Sequence, residues 1–189
     1  MKRKSEHQVI KSDNSILQVY FEFTQLKSLW RQGWLQAGLP ENACESVADH
    51  SFSSAILAWL VAEEYRPELE LEKLIKMALL HEVGEIYAGD ITPNDSIGTQ
   101  EKFLLEFDSM RKVLKGLPQG KIWSELWEEF ERGKTPEAIF IKQIDKLEMA
   151  LQAKIYQTNS KLKVDGFYAS ARKVMQEKEF IDLIEEIIL

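Results

Sequence analysis

Cysteine is nearly absent from this chain. Cys44 is the one thiol in 189 residues, which excludes an internal disulfide framework and fits a reducing compartment. The expectation is a cytoplasmic protein with Cys44 as a bystander. Period-two apolar runs of useful length are also missing, so half-buried strands are not expected. No apolar run approaches the roughly 20 residues of a membrane span. The start, Met1-Lys2-Arg3-Lys4-Ser5-Glu6-His7, is basic but leads into no apolar signal core. Residues 1–12 read as a frayed tail ahead of one domain over 13–189. Basic residues are outnumbered, 24 Lys and Arg against 31 Asp and Glu, for a net charge of −7. That balance argues against a nucleic-acid polymer as the main ligand, because such partners ask for a basic face. A small phosphorylated molecule, held by a few local cations or a metal, stays open.

Helical spacing dominates from end to end. Ile16, Tyr20, Phe23, Leu26 and Trp30 mark a first helix. Ser46 and Asp49 read as a capping box opening a second, which runs through Phe52, Ile56, Trp59, Leu60 and Val61 to about Tyr65. Being apolar on most sides, that helix is expected at the centre of a bundle. A third helix carries Leu74, Ala78, His81 and Glu85 on one stripe and Ile75, Leu79, Glu82 and Ile86 on the next. After a loop rich in turn residues, Gly89-Asp90-Ile91-Thr92-Pro93-Asn94-Asp95, two further helices are stopped by Gly116-Leu117-Pro118 and by Gly133 and Pro136. Residues 137 to about 158 form a long helix, and Phe167–Leu189 a last one, broken near Glu177. The expectation is an all-α single domain of about seven helices.

Histidine is scarce too, and its placement carries the chemistry. Of three histidines, His7 falls in the tail, while His50 and His81 lie on apolar stripes. Glu82, Glu85 and, in the long helix, Asp145 stand where the period asks for apolar side chains. Buried carboxylates are costly unless something charged meets them. Asp145 would be served by a lysine salt bridge, and the His81 region by a merely polar helix end. Together, however, His50, His81, Glu82 and Asp145 offer two nitrogens and two carboxylates. That mix suits one Mn, Co, Fe, Ni or Zn ion better than Ca or Mg. His81-Glu82-Val83-Gly84-Glu85 begins like the zinc-protease HExxH, but Glu85 stands where the second histidine belongs, and the chain has no histidine to replace it.

The order His, then His-acid, then Asp resembles the HD-domain phosphohydrolase superfamily, and within it the 5′-deoxynucleotidase-like group. Four stretches carry the resemblance: Arg31-Gln32-Gly33-Trp34, residues 45–50, residues 81–93 and residues 142–153. Residues 166–171 look like that group as well. The resemblance implies that His50, His81, Glu82 and Asp145 hold one divalent metal and that Glu85 works beside the metal-activated water. It also implies that Asp90 lies at the substrate sugar, and that Arg31 and Trp34 line phosphate and nucleoside. Trp34 as plain core and Asp90 as a turn residue are the competing readings. Two departures stand out. The stretch from Trp34 to His50 looks about two residues long for the group, and Ala37-Gly38 stand where an arginine is usual. Glu82 replaces the family's aspartate, one methylene longer and with one more torsion. It either reaches the metal or swings aside.

The function so implied is a metal-dependent phosphomonoesterase acting on nucleoside 5′-monophosphates, with a deoxynucleotide preference. Two alternatives share the residues. One is hydrolysis of another nucleotide or small phosphoester, such as (p)ppGpp or a cyclic nucleotide. The other is a degenerate nucleotide-binding regulator, because of Glu82. The expected partner is a small nucleotide, with neither nucleic-acid polymer nor membrane. A homodimer is conceivable, with the Trp123/Trp127 helix as its contact or simply as core.

Overall fold

The structure, a computed structural model, describes residues 10–160 and 162–188; most of the expected tail, His7 included, lies outside them. Among the described residues the regular structure is helical. The α-helices are α1 Ser15–Phe23, α2 Gln32–Gln36, α3 Val47–Tyr65, α4 Leu71–Leu80, α5 Glu85–Ala88, α6 Thr99–Val113, α7 Gly120–Arg132, α8 Pro136–Asn159, α9 Asp165–Arg172 and α10 Lys178–Ile188. Two 3₁₀ turns, Thr24–Ser28 and Glu41–Ala43, join them. One isolated antiparallel bridge pairs Trp30 with Ser46. No helix of the described residues is long and apolar enough to cross a membrane.

Two compact units are present. The first comprises the described residues up to Ser51 together with Leu80–Glu128. Its core gathers Val19, Leu26, Leu29, Val47, Val83, Ile86, Met110, Val113 and Trp127. Phe103 and Phe107 lie with ring centroids 5.7 and 6.3 Å from Trp127. Trp123 is partly buried against the same cluster, so the Trp123/Trp127 side of α7 is core here rather than a free contact face. The second unit comprises Phe52–Leu79 and the residues from Glu129 on. There Phe140 of α8 meets Phe180 of α10 edge to face at 5.5 Å, and Gln143 accepts the Gln176 amide N–H at 2.8 Å. Thr135 caps α8 ahead of Pro136. The last helix is interrupted as expected, and Arg66 pairs with Glu177 at the interruption.

Three expectations need correction. The first helix stops at Phe23 and tightens into a 3₁₀ turn, and Ile16 and Tyr20 face outward. The large side chains of α3 also face outward: Phe52 is 63 % exposed and Leu60 60 %, with Ile56 and Trp59 exposed beside them. Its buried side is made of small residues, Ser51, Ser54, Ala55, Ala58 and Ala62, with Val47 and Val61. On a helix apolar all round, side-chain size decides which face packs closely, and periodicity cannot choose. Finally, α4 ends at Leu80, so His81 lies just past a helix end, not at its centre.

Candidate active site

The bridge between Trp30 and Ser46 starts the site. Arg31 donates its amide to Glu45 O at 3.2 Å and Val47 donates to Leu29 O at 2.9 Å, which sets Arg31 beside the start of α3. The capping box forms as the sequence suggests, with aspartate in the place of the usual glutamate. Ser46 N donates to Asp49 Oδ2 at 2.8 Å, and Asp49 N returns a bond to Ser46 Oγ at 3.2 Å. The first turn of α3, and with it His50, is thereby fixed.

His81 and Glu82 follow α4 in a tight turn. Its bonds run three residues back, from Val83 to Leu80 O at 2.9 Å, Glu85 to Glu82 O at 3.0 Å and Ile86 to Val83 O at 3.3 Å. Winding by three residues per turn rotates the side chains away from the α-helical stripe read in the sequence. Two contacts enforce the turn. Trp127 Nε1 donates to the His81 carbonyl at 3.2 Å. Gly84 lies so close to α6 that a Cβ there would stand 2.7 Å from Glu106 Cβ and 3.0 Å from its carbonyl oxygen. Gly89, at φ +86°, then turns the chain out of α5 into Asp90.

The result is a cluster within the first unit. His50 is fully buried and His81 is 4 % exposed. Their Nε2 atoms stand 3.3 Å apart. Glu82 Oε1 lies 3.6 Å from His50 Nε2 and 3.5 Å from His81 Nε2, and it accepts from Arg31 Nη1 at 3.0 Å. Arg31 reaches Asp90 as well, at 3.8 Å, and Asp90 Oδ2 accepts the Gln32 amide N–H. The extra methylene of Glu82 therefore carries its carboxylate into the histidine pair. Ligand atoms about 2.1 Å from a common ion in tetrahedral array lie about 3.4 Å from one another. The three separations of 3.3, 3.5 and 3.6 Å match that spacing, so His50, His81 and Glu82 can hold a metal ion.

Glu85 is 1 % exposed, and its Oε2 has no hydrogen-bond partner among the described residues. Burial pushes its carboxyl well above the usual range. The Glu82 and Asp90 charges push the same way, and Arg31 opposes them in part. Trp34 is buried and donates Nε1 to Glu45 at 2.8 Å, anchoring α2. Cys44 is buried, and burial, followed by the Glu45 charge, pushes its thiol up to about 12, which leaves no thiolate to act as nucleophile. Asp145 belongs to the second unit, where it is largely buried on α8 and pairs with Lys146 at 2.9 Å. Of the residues read from the sequence, the first unit thus unites His50, His81, Glu82, Arg31 and Asp90. Sequence reasoning missed Gln32, Lys102, Glu106 and Trp127. Lys102 and Glu106 do stand four apart on a helix, but that spacing is ordinary on any solvated face.

Among the described residues the regular structure is helical, and two buried histidines with an adjacent carboxylate make a site that can hold a metal ion. The comparisons agree: the model of the HD domain family matches residues 23–187, and the chain belongs to that family. It is 38 % identical over 170 residues to 5′-deoxynucleotidase HDDC2 of Dictyostelium discoideum, covering 81 % of this chain and 88 % of that one. The HDDC2 5′-deoxynucleotidase of Homo sapiens is 33 % identical, covering 92 % and 84 %. Among solved structures, the PH0347 protein of Pyrococcus horikoshii superposes with a TM-score of 0.76 at 28 % identity, over 90 % of this chain and 97 % of that one.

Proposed function

We propose that the protein is a metal-dependent phosphomonoesterase that hydrolyses nucleoside 5′-monophosphates, deoxynucleotides by preference, to nucleoside and phosphate. One observation carries the reading. A single carboxylate oxygen, Glu82 Oε1, faces two buried imidazole nitrogens and the Arg31 guanidinium at once. The relatives named 5′-deoxynucleotidase support the substrate class.

In this reading His50, His81 and Glu82, with Asp145 as fourth ligand, hold one ion of Mn, Co, Fe, Ni or Zn. When bound, such an ion supplies positive charge toward a phosphate oxygen and lowers the pKa of water. The remaining roles fall to the chain. Arg31, already held between Glu82 and Asp90, neutralises the phosphate with a fixed fork of donors. Glu85, buried with a raised proton affinity, takes the proton of the attacking water and keeps it out of solvent. Asp90, fixed by the Gln32 amide, meets the sugar, and Trp34 walls the nucleoside side from within α2.

The same reading takes residues 13–189 as one domain in the cytoplasm, acting on free nucleotide rather than polymer. It also favours a homodimer. The exposed Phe52, Ile56, Trp59 and Leu60 of α3 make an apolar stripe that a second copy would cover. The test is metal analysis of protein purified without chelator, followed by phosphate release across ribo- and deoxynucleoside monophosphates, cyclic nucleotides and (p)ppGpp. Stoichiometric metal with turnover of deoxynucleoside monophosphates is expected. Metal with turnover confined to another nucleotide would move the substrate, and nucleotide binding without turnover would make the chain a regulator.

A further inference from the structure

We propose that Lys102 is a positioning residue for the substrate loop, tethering Ile91 so that the neighbouring Asp90 meets the sugar and discriminates deoxyribose from ribose. The inference rests on the reading of Asp90 as the sugar contact. Lys102 is half-buried in the first turn of α6. Its Nζ donates to the Ile91 carbonyl at 3.1 Å and pairs with Glu106 Oε1 at 3.4 Å.

A lysine and glutamate four apart on an exposed helix locate little. This pair differs in three respects. Glu106 is buried, and its backbone lies against Gly84 in the turn that carries Glu82 and Glu85. Burial works against the charge of Lys102, but Glu106, Glu82 and Glu85 outweigh it and keep the ammonium protonated above its ordinary range. The third respect is the tether to Ile91 itself.

The loop has other ties, the Arg31 guanidinium 3.8 Å from Asp90 among them. Gln36 Oε1 of α2 accepts from Thr92 Oγ1 at 3.1 Å and from Asn94 Nδ2 at 2.9 Å. Asp95 Oδ2 accepts the Thr92 amide N–H at 2.7 Å. Asp90 is held by the Gln32 amide. The tie to Ile91 is a cation holding a backbone carbonyl, and it sits next to the residue that reads the sugar. Without it the loop keeps its far end, and Asp90 is left with Gln32 and Arg31 alone to set its register.

The experiment uses the metal-loaded enzyme and compares Lys102→Met and Lys102→Arg with the native chain. Substrates are a deoxy- and a ribonucleoside 5′-monophosphate of one base, with p-nitrophenyl phosphate as an ester that has no sugar. Lys102→Met should raise KM for the deoxynucleotide about tenfold and lower kcat by less than about threefold, the split that marks lost binding rather than lost chemistry. The deoxy-to-ribo ratio of kcat/KM should shrink by at least about fivefold, with the sugarless ester losing far less. Lys102→Arg, which can still donate to a carbonyl, should restore the ratio. An unchanged ratio, or equal losses on all three esters, overturns the proposal. Hydrogen exchange on metal-free protein tests the tether without turnover. Amides of Asp90 and Ile91 should exchange faster in Lys102→Met and not in Lys102→Arg, and unaltered exchange overturns it too. A native chain that hydrolyses p-nitrophenyl phosphate but no nucleotide sinks the substrate reading, while the exchange result still decides the tether.

Discussion

Arg31 and Glu82, 51 positions apart in the sequence, share a hydrogen bond of 3.0 Å whose acceptor oxygen also faces both buried histidines. The carboxylate that would balance a metal thus also holds the guanidinium that would meet phosphate. Shortening Glu82 by one methylene keeps the charge but withdraws the oxygen from Arg31. Glu82→Asp should therefore hold metal within about tenfold of native and raise KM for nucleotide, a loss of roughly 1.4 kcal/mol at most. Glu82→Ala removes the charge as well. It should weaken metal by more than the roughly 10–100-fold typical of outer hydrogen-bond partners. Titrating both apo-proteins with Mn(II) or Co(II) checks this. Equal affinity in all three proteins would mean that Glu82 is no ligand.

The histidine pair makes a second prediction. Two neutral imidazole nitrogens 3.3 Å apart are comfortable only if one presents its N–H to the other or a cation lies between them. His50→Ala and His81→Ala should each lose most of the metal found in the native chain by elemental analysis, with far-UV circular dichroism retained. Full metal in both variants would place the site elsewhere.

How much of this was legible depended on how local each cause is. Ser46 and Asp49 meet within one turn, so the start of α3 could be read from four residues. Thr135-Pro136 is local in the same way. The end of α4 is not. Nothing near Leu80 in sequence announces it, because the turn through His81 is set by Trp127 on α7 and by Glu106 on α6. Periodicity marked the residues that cluster there and assigned them the wrong element. The outward face of α3 was hidden for another reason. A stretch apolar on every side carries no phase, and the small residues that pack inward weigh little in any hydropathy pattern. For Lys102, the deciding partner is a backbone carbonyl, which every residue has and no sequence pattern marks.

Gly84 tests the tertiary origin of that turn. A methyl group there meets Glu106 Cβ at 2.7 Å and the Glu106 carbonyl at 3.0 Å, and a helix backbone does not yield as a flexible side chain would. Gly84→Ala should cost roughly 1–3 kcal/mol, the usual scale of overpacking. In a chain of this size that lowers Tm by roughly 2–12 °C. Metal affinity should weaken alongside, because the turn that presents His81 and Glu82 must shift. Calorimetry and metal titration of one preparation check both, and an unchanged Tm would mean that α6 moves freely away from the turn.

Glu85 makes the sharpest prediction, because its burial acts on activity and on stability with opposite signs. Its carboxyl takes up protons well above the ordinary carboxyl value of 4.5, chiefly through burial, with Glu82 and Asp90 adding to it. Between 4.5 and the raised value, the folded chain holds a proton that the unfolded chain has released. Stability contributed by this group is therefore full below the ordinary carboxyl range and falls as pH rises through the window above it. In chelator-treated protein, Tm should decline from pH 5 upward. Glu85→Gln, which keeps the shape and never ionises, should flatten that decline and be the more stable protein at pH 8. The same substitution should lower kcat by about two to four orders of magnitude, the usual scale for a lost proton acceptor. A stabilised variant with intact metal and lost turnover is the expected pattern. Unchanged turnover would remove Glu85 from the reaction, and an unchanged pH slope would mean that burial does not raise its proton affinity.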